Sequence, residues 1–395
     1  MLLRWVISVI AVFATSFGQA ADSAPELLRD LPLPPLIEPG YTPGPEAAKD
    51  VRGLWMEMAD AEKILKRSPL RVRDPLINDY VSRIACEVSH RYCQDLRVFV
   101  VRNPDFNASI APNGLMLVNT GLLVRMTSSD QVAAVLGHGL AHYTQTHALE
   151  LLRKAKSNFA IGTFVELFGI PGILALTSVL SFNRLQESEA DELGAYYSAA
   201  AGYRPEAAAA IWRLLDEEED KAAVKPPKGP QFLSSHPRPK DRASQLEAVA
   251  DRLMQSLPKT DSAATAPVTD PQLALLQARY ALFMDEQVQQ RDSGRLQTLL
   301  KRHEAMGIRA TDLAFYRGEA LRIGSQPEDL AAAMDAYRQA LRAERPNPRA
   351  FRELGYLEYK HGDRQAAEQY FREFLAREAD ASDKEMIEFY LSGGW

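Results

Sequence analysis

The sequence predicts a mainly α-helical chain of the α+β class: a helical domain with a small β-sheet, followed by a domain of α-helical repeats. Three observations support this. Helical patterning dominates from Glu46 to the C-terminus. Two short apolar runs, Leu96–Arg102 and Leu115–Asn119, read as strands. Near the end, Ala333, Tyr337 and Ala340 recur 34 residues later as Ala367, Phe371 and Phe374. A 34-residue helix–turn–helix period is the tetratricopeptide signature, and stacked repeats of that kind present a groove that suits a protein or peptide.

Composition narrows the function classes. The 395 residues are 46% hydrophobic and 25% charged, an ordinary globular mix. With 46 Lys plus Arg against 52 Asp plus Glu, the net charge is −6, so no cationic field draws nucleic acid. Two cysteines, Cys86 and Cys93, are too few for a disulfide scaffold or a Cys-rich metal finger.

Residues 1–20 read as a secretory signal: Arg4, an apolar stretch from Trp5 to Phe17, then Gly18-Gln19-Ala20 at the cleavage position. Export to the periplasm is therefore expected. In that oxidising setting Cys86 and Cys93 could form a disulfide from a helix end to the next strand, the alternative being two buried thiols. Residues 21–45 follow as a Pro-rich arm, with six prolines from Pro32 to Pro45, outside the core.

The first domain is expected over 46–257. Ser128 opens a helix with Gln131 three residues on, as in a capping box, and Val132, Val135, Leu136, Leu140 and Tyr143 form its apolar stripe. Residues 158–182 are largely apolar. They suit either contact with a membrane, a lid, or a buried hairpin broken at Gly169-Ile170-Pro171. A linker is expected over 258–270 and the repeats over 271–395.

The chemistry lies in the histidines. His138 and His142 are four apart on the capped helix, so both rings project from one face. This is the histidine half of a zinc motif. Glu187 and Asp191 repeat the spacing on a second helix. Glu187 could be a third ligand, and Asp191 could hydrogen-bond a ligand histidine. His147 is expected as a structural neighbour on the same helix as His142. Pro237 biases His236 towards an extended conformation that could carry it over an open metal position, with Arg242 six residues on.

These pieces carry a resemblance. DPLINDY at 74–80, NASIAPNGLMLVNTGLL at 107–123 and QVAAVLGHGLAHYTQTH at 131–147 are followed by ESEADELG at 187–194, AGYRP at 201–205 and HPRPKDR at 236–242. In order and spacing the segment resembles the exported bacterial zinc metalloproteases related to HtpX and the CAAX prenyl protease. It is most similar to the β-barrel assembly-enhancing branch, which joins such a domain to tetratricopeptide repeats. The resemblance implies a gluzincin-type fold and Zn2+ held by His138, His142 and Glu187, with Asp191 and His147 behind the ligands. It implies His236 near the metal, as a catalytic transition-state contact or a reversible fourth ligand that shuts the site, and Arg242 as a second catalytic group. It also implies that Leu115, Met116, Leu117, Val118 and Asn119 form an edge strand onto which a substrate peptide adds. The partners implied are unfolded or assembling envelope proteins and the outer-membrane assembly machinery.

One departure outweighs the match. The family motif has Glu directly after the first histidine, and Gly139 stands there. That Glu moves the proton in hydrolysis, a contribution of about 10²–10⁴-fold. Gln131 also replaces a frequent Glu. Glu189 or Glu150 could substitute, but neither has the family's position. Three readings follow: a zinc-binding scaffold with crippled proteolysis, an active endopeptidase with unusual water activation, or a repeat adaptor with a vestigial site.

Overall fold

The structure, a computed structural model, describes residues 27–29, 31–156, 182–223, 239–257, 270–324 and 327–393. The expected signal (1–20), most of the apolar stretch 158–182, His236 and nearly all of the linker lie outside them. The chain divides into two compact units: Met1–Asp216 with Pro226–Leu275, and Glu217–Lys225 with Leu276–Trp395.

The boundaries differ from the expected ones for a local reason. Asp270 accepts hydrogen bonds from Ser129 N and Oγ, and the Gln272 side-chain amide donates to the carbonyls of Leu123 and Met126. These polar ties hold the end of the linker and the first turn of the next helix in the first unit. Glu218, by contrast, pairs with Arg302 at 2.6 Å inside the second unit.

In the first unit, α1 (Lys49–Arg67) and α2 (Pro75–Ser89) precede a three-stranded sheet of β1 (Arg97–Val101), β2 (Ala108–Ile110) and β3 (Leu115–Asn119). Asp74 caps α2 and Pro75 occupies its first turn, where the missing N–H costs nothing. Leu54, Met58, Ala61 and Leu65 of α1 cover one face of the sheet, packing on Phe99, Val101, Leu115 and Leu117. The turn α3 (Thr120–Leu123) then leads to α4 (Ser129–Thr144) and α5 (His147–Lys156), and α6 (Arg184–Ala200), α7 (Ala207–Lys221, whose last residues belong to the second unit) and α8 (Pro239–Ser256) follow.

Sheet order corrects one expectation. The order is β1-β3-β2, with β3 parallel to β1 and antiparallel to β2. Leu115, Met116, Leu117, Val118 and Asn119 therefore form the central strand, not an edge, and all five are buried. The unbroken apolar run reflects burial on both faces. Residues 70–72 border β1, through Val72 N to Val100 O and Arg102 N to Leu70 O. The edge left without a strand partner among the described residues is β2. Asn119 N bonds Asn107 O and Ala111 N bonds Leu115 O, so the alternating ladder turns the backbone groups of Ala108 and Ile110 outwards.

The Pro-rich arm is strapped down. Leu36 N donates to Thr144 O, the Gln145 side chain to Pro34 O, and Tyr92 Oη to Ile37 O. Gly40 N donates to the Asp95 carboxylate. The segment carrying Tyr92 and Asp95 is itself closed by a disulfide between Cys86, in the last turn of α2, and Cys93, in a 3₁₀ turn rather than the next strand.

The second unit holds α9 (Pro271–Gln289), whose first residues belong to the first unit, then α10 (Ser293–Ala305), α11 (Ala310–Gly324), α12 (Pro327–Ala340), α13 (Arg349–His361), α14 (Arg364–Arg377) and α15 (Lys384–Leu391). From α10 onwards each helix packs on the next. Two pairs share one device. Tyr337 of α12 lies against Gly318 of α11, and Phe371 of α14 lies against Gly355 of α13. A Cβ at either glycine would come within 2.5 Å of the facing ring. No helix among the described residues is long and apolar enough to cross a membrane.

Candidate metal centre

Two helices build the site. Ser128 caps α4, its hydroxyl accepting from Gln131 N, while the Gln131 side chain accepts from Thr127 N. A full capping box starts α6: Asn183 Oδ1 accepts from Gln186 N, and Gln186 Oε1 from Asn183 N. The helices touch at two glycines. A Cβ on Gly137 would stand 2.6 Å from Gly194 O, and one on Gly194 would stand 2.5 Å from His138 N. Only this backbone approach brings the i, i+4 pair of one helix onto the i, i+4 pair of the other.

His138, His142 and Glu187 converge there, with one ligand atom from each within 4.8 Å of the others. The Nε2 atoms of the histidines are 3.1 Å apart. His138 Nε2 lies 3.7 Å from Glu187 Oε2, and His142 Nε2 lies 3.6 Å from Glu187 Oε1. A tetrahedral zinc ion with bonds near 2.0–2.1 Å separates its ligands by about 3.3 Å, so the spacing fits. Two imidazole nitrogens and one carboxylate, with a fourth position left over, is the donor set of a catalytic zinc site. When bound there, zinc acts as a Lewis acid and acidifies water.

The surroundings fix the tautomers. Asp191 Oδ1 lies 3.0 Å from His138 Nδ1, so Nδ1 carries the proton and Nε2 faces the ligand cluster. His142 Nδ1 lies 3.0 Å from His147 Nδ1, and His147 Nε2 lies 3.2 Å from Glu189 Oε2. If His142 turns Nε2 to a metal, its Nδ1–H donates to His147, which in turn donates to Glu189. His147 is not on the helix of His142. Thr146 adopts φ 57°, which ends α4 and lets His147 open α5. Phe182 stacks on the His142 ring at 3.9 Å, a contact no motif announced.

Arg242 has a different place from the one expected. It is buried, lies over the Trp212 ring at 3.7 Å, and grips Asp191 through Nε at 2.7 Å and through Nη2. Its Nη1 lies 3.1 Å from Glu187 Oε2. These contacts make it a positioning residue for two carboxylates. Burial would raise the Asp191 carboxyl, but Arg242 and His138 overcome it and hold it at about 2. For Glu187 burial wins, with Arg242 opposing, and the carboxyl is pushed up to about 8 in the metal-free site. Burial also lowers His138, against the pull of Asp191.

Among the described residues nothing lies within 4 Å of where a Gly139 Cβ would be. Glu189 is turned to His147, and Glu150 accepts from Gln186 at 3.3 Å. Neither belongs to the ligand cluster.

Comparison with known proteins places this geometry. Residues 72–250 match the model of Peptidase family M48. The mitochondrial metalloendopeptidase OMA1 of Bos taurus is 30% identical over 206 residues, 45% of this chain and 36% of its own length. The mitochondrial metalloendopeptidase OMA1 of Arabidopsis thaliana is 32% identical over 180 residues, 45% and 36% of the two chains. The beta-barrel assembly-enhancing protease of Escherichia coli (strain K12) is 24% identical over 267 residues, 62% and 50% of the two chains. The chain thus spans only about a third to a half of these relatives' lengths. The family is one of zinc metalloproteases, and the matched residues include all three ligands. The segment that carries the three candidate ligands is thus similar to Peptidase family M48.

Proposed function

We propose that the chain is a periplasmic zinc metallopeptidase-like protein of outer-membrane protein assembly or quality control, in which peptide hydrolysis is impaired or lost. One observation carries this: the ligand set is complete while the position next to His138 holds Gly139, which has no side chain to move a proton. Zinc binding needs only the ligands. Hydrolysis also needs a group that takes a proton from water and returns it to the departing amine, and glycine has none.

Several features support the rest. The signal-like residues 1–20 and the Cys86–Cys93 disulfide fit an exported protein. The name of the beta-barrel assembly-enhancing protease points to assembly in the envelope. In this reading unfolded or assembling envelope proteins engage two surfaces. One is the outer edge of β2, where the outward groups of Ala108 and Ile110 can take an added strand. The other is the tetratricopeptide-type second unit. It holds a cavity of about 730 Å³ lined by Tyr280, Phe315, Tyr316, Arg349, Arg352 and Phe374 among others.

The test is metal analysis of the purified chain combined with a casein assay. One zinc per chain and little or no cleavage are expected. Cleavage that disappears in His138→Ala and with chelator would establish an active peptidase instead. Absence of stoichiometric zinc would leave only the repeat adaptor.

A further inference from the structure

The helix that carries His138 and His142 ends at a braced corner, residues 143–145, and every brace leads back to one short turn. Leu36 N donates to Thr144 O at 2.9 Å, and Gln145 Nε2 donates to Pro34 O at 3.0 Å. The arm that makes these bonds is held by the turn after α2. Tyr92 Oη donates to Ile37 O at 2.8 Å, and Gly40 N donates to the Asp95 carboxylate at 2.9 Å. The same turn also meets the corner directly: the Tyr92 ring stands edge-on to Tyr143, with centroids 6.2 Å apart. On α6, Tyr197 Oη and Thr144 Oγ1 share a hydrogen bond of 3.2 Å, and the Tyr197 backbone bonds the side chain of His90. The corner matters to the metal centre because His142 Nδ1 meets His147 Nδ1 across it at 3.0 Å, a contact that orients a ligand ring.

Cys86 and Cys93 close this turn, at a sequence separation of 7. So short a loop restrains the unfolded chain little, and the bridge acts chiefly on the turn itself. The turn needs that hold: His90 adopts φ 48°, a left-handed conformation that a non-glycine residue seldom takes. Cys86 is exposed and Cys93 half-buried. A disulfide open to solvent is one that a thiolate can reach. We propose that this disulfide is a redox control of the metal centre: a dithiol opens it, the turn and the arm loosen, and the corner after His142 loses its brace, so that zinc is held less tightly. The inference rests on the zinc-binding reading of the site and not on the fate of hydrolysis. In the step, one thiolate of the dithiol bonds to a cysteine sulfur, and the S–S bond breaks with its electron pair on the other cysteine. The second thiolate of the dithiol then displaces the first cysteine in the same way. The two cysteines gain two electrons and two protons, and the dithiol leaves oxidised to its own disulfide.

The experiment uses the full chain, freed of metal. One portion is reduced with dithiothreitol, alkylated with iodoacetamide and desalted, so that no thiol remains to bind metal; the other is alkylated and desalted without reduction. Zinc affinity by chelator competition should fall at least about 10-fold on reduction, the lower end of what support of a ligand histidine contributes. Cys86→Ser combined with Cys93→Ser should show the same fall and no response to dithiothreitol. Hydrogen exchange of the metal-free samples gives a readout that needs no zinc. Reduction should speed exchange at the amides of Leu36, Gln145 and Thr146 and leave those of the central strand β3 unchanged. Tyr92→Phe removes the bond to Ile37 O and keeps the ring on Tyr143. It should weaken zinc binding by itself and shrink the further effect of reduction, as expected for two changes on one route. Where the oxidised chain binds zinc, an affinity unchanged by reduction overturns the proposal. Full additivity of Tyr92→Phe and reduction overturns it as well, because the disulfide would then not act through the arm. Loss of helix throughout the reduced chain by circular dichroism also overturns it, since the bridge would be a staple for the whole unit. If the oxidised chain binds no zinc while exchange at the corner responds to reduction, the zinc reading of the site falls and the coupling of disulfide to corner stands.

Discussion

Gly194 lies directly on the backbone of His138: a Cβ at 194 would stand 2.5 Å from His138 N and 2.7 Å from its Cα. This contact sets the separation of α4 and α6, and through it the spacing of the three ligands. Backbone cannot yield as a flexible side chain can, so Gly194→Ala must push the helices apart. Overpacking of this kind costs about 1–3 kcal/mol. We expect a loss of that size in denaturant unfolding and a clear fall in zinc affinity by chelator competition. Gly139→Ala is the control. With no described atom within 4 Å of its Cβ, it should gain about 0.5–1 kcal/mol, the helix-interior difference between the two residues. Equal effects of the two substitutions would contradict the packing argument.

Asp191 serves two masters, His138 and Arg242. Its replacement by Asn keeps the volume but removes the charge that fixes the His138 tautomer and holds Arg242. Partners of metal-bound histidines typically account for about 10–100-fold in metal affinity. A drop within that range is expected for Asp191→Asn by competition titration, with His138, His142 and Glu187 intact. An unchanged affinity would show that the 3.0 Å contact does not orient the ring.

The raised carboxyl of Glu187 gives a pH signature. In the metal-free chain its folded value is about 8, above the ordinary value of 4.5. Between those limits the folded state holds a proton that the unfolded state has released. Its contribution to stability is therefore full below about 4.5 and is lost as pH rises through about 8. Asp191 acts in the opposite sense: its stabilisation is present above 3.8 and fades as pH falls towards about 2. Thermal melts of the metal-free chain should thus decline from about pH 5 to 8, and Glu187→Gln should flatten the decline. Zinc binding over the same range should release protons, detectable by calorimetry in buffers of different ionisation enthalpy. A metal-free melting temperature that rises over that window would contradict the burial of a protonated Glu187.

Much of this site was legible because it obeys helix periodicity. His138 with His142, and Glu187 with Asp191, announce themselves by i, i+4 spacing within one helix each. That the two pairs meet depends on Gly137 and Gly194, and a glycine in a helical run gives no sign of which helix it admits. The position of His147 depends on Thr146 at φ 57°, a conformation that sequence rarely signals for a β-branched residue. For β3 the signal was present: Leu115-Met116-Leu117-Val118 is the continuous apolar run of a strand covered on both faces. The Pro-rich arm showed its extended character but not its hydrogen bonds, since its partners Tyr92, Asp95, Thr144 and Gln145 lie more than 50 residues away.

In the second unit the core positions were legible: Ala333, Tyr337 and Ala340, which recur as Ala367, Phe371 and Phe374, are all buried. The glycines that receive the two aromatic rings, Gly318 and Gly355, are 37 apart rather than 34, so a strict 34-residue period does not relate them. Equivalent packing with unequal spacing shows that the connection between the helices of a pair can vary while the ring-on-glycine contact is kept.

The most direct measurement compares the natural chain with Gly139→Glu, both carrying one zinc, in cleavage of unfolded casein. A gain of about 10²–10⁴-fold in the variant, abolished by His138→Ala, is expected, because only the proton-transfer group is missing. Cleavage by the natural chain at the rate of the variant, sensitive to chelator and to His138→Ala, would contradict it.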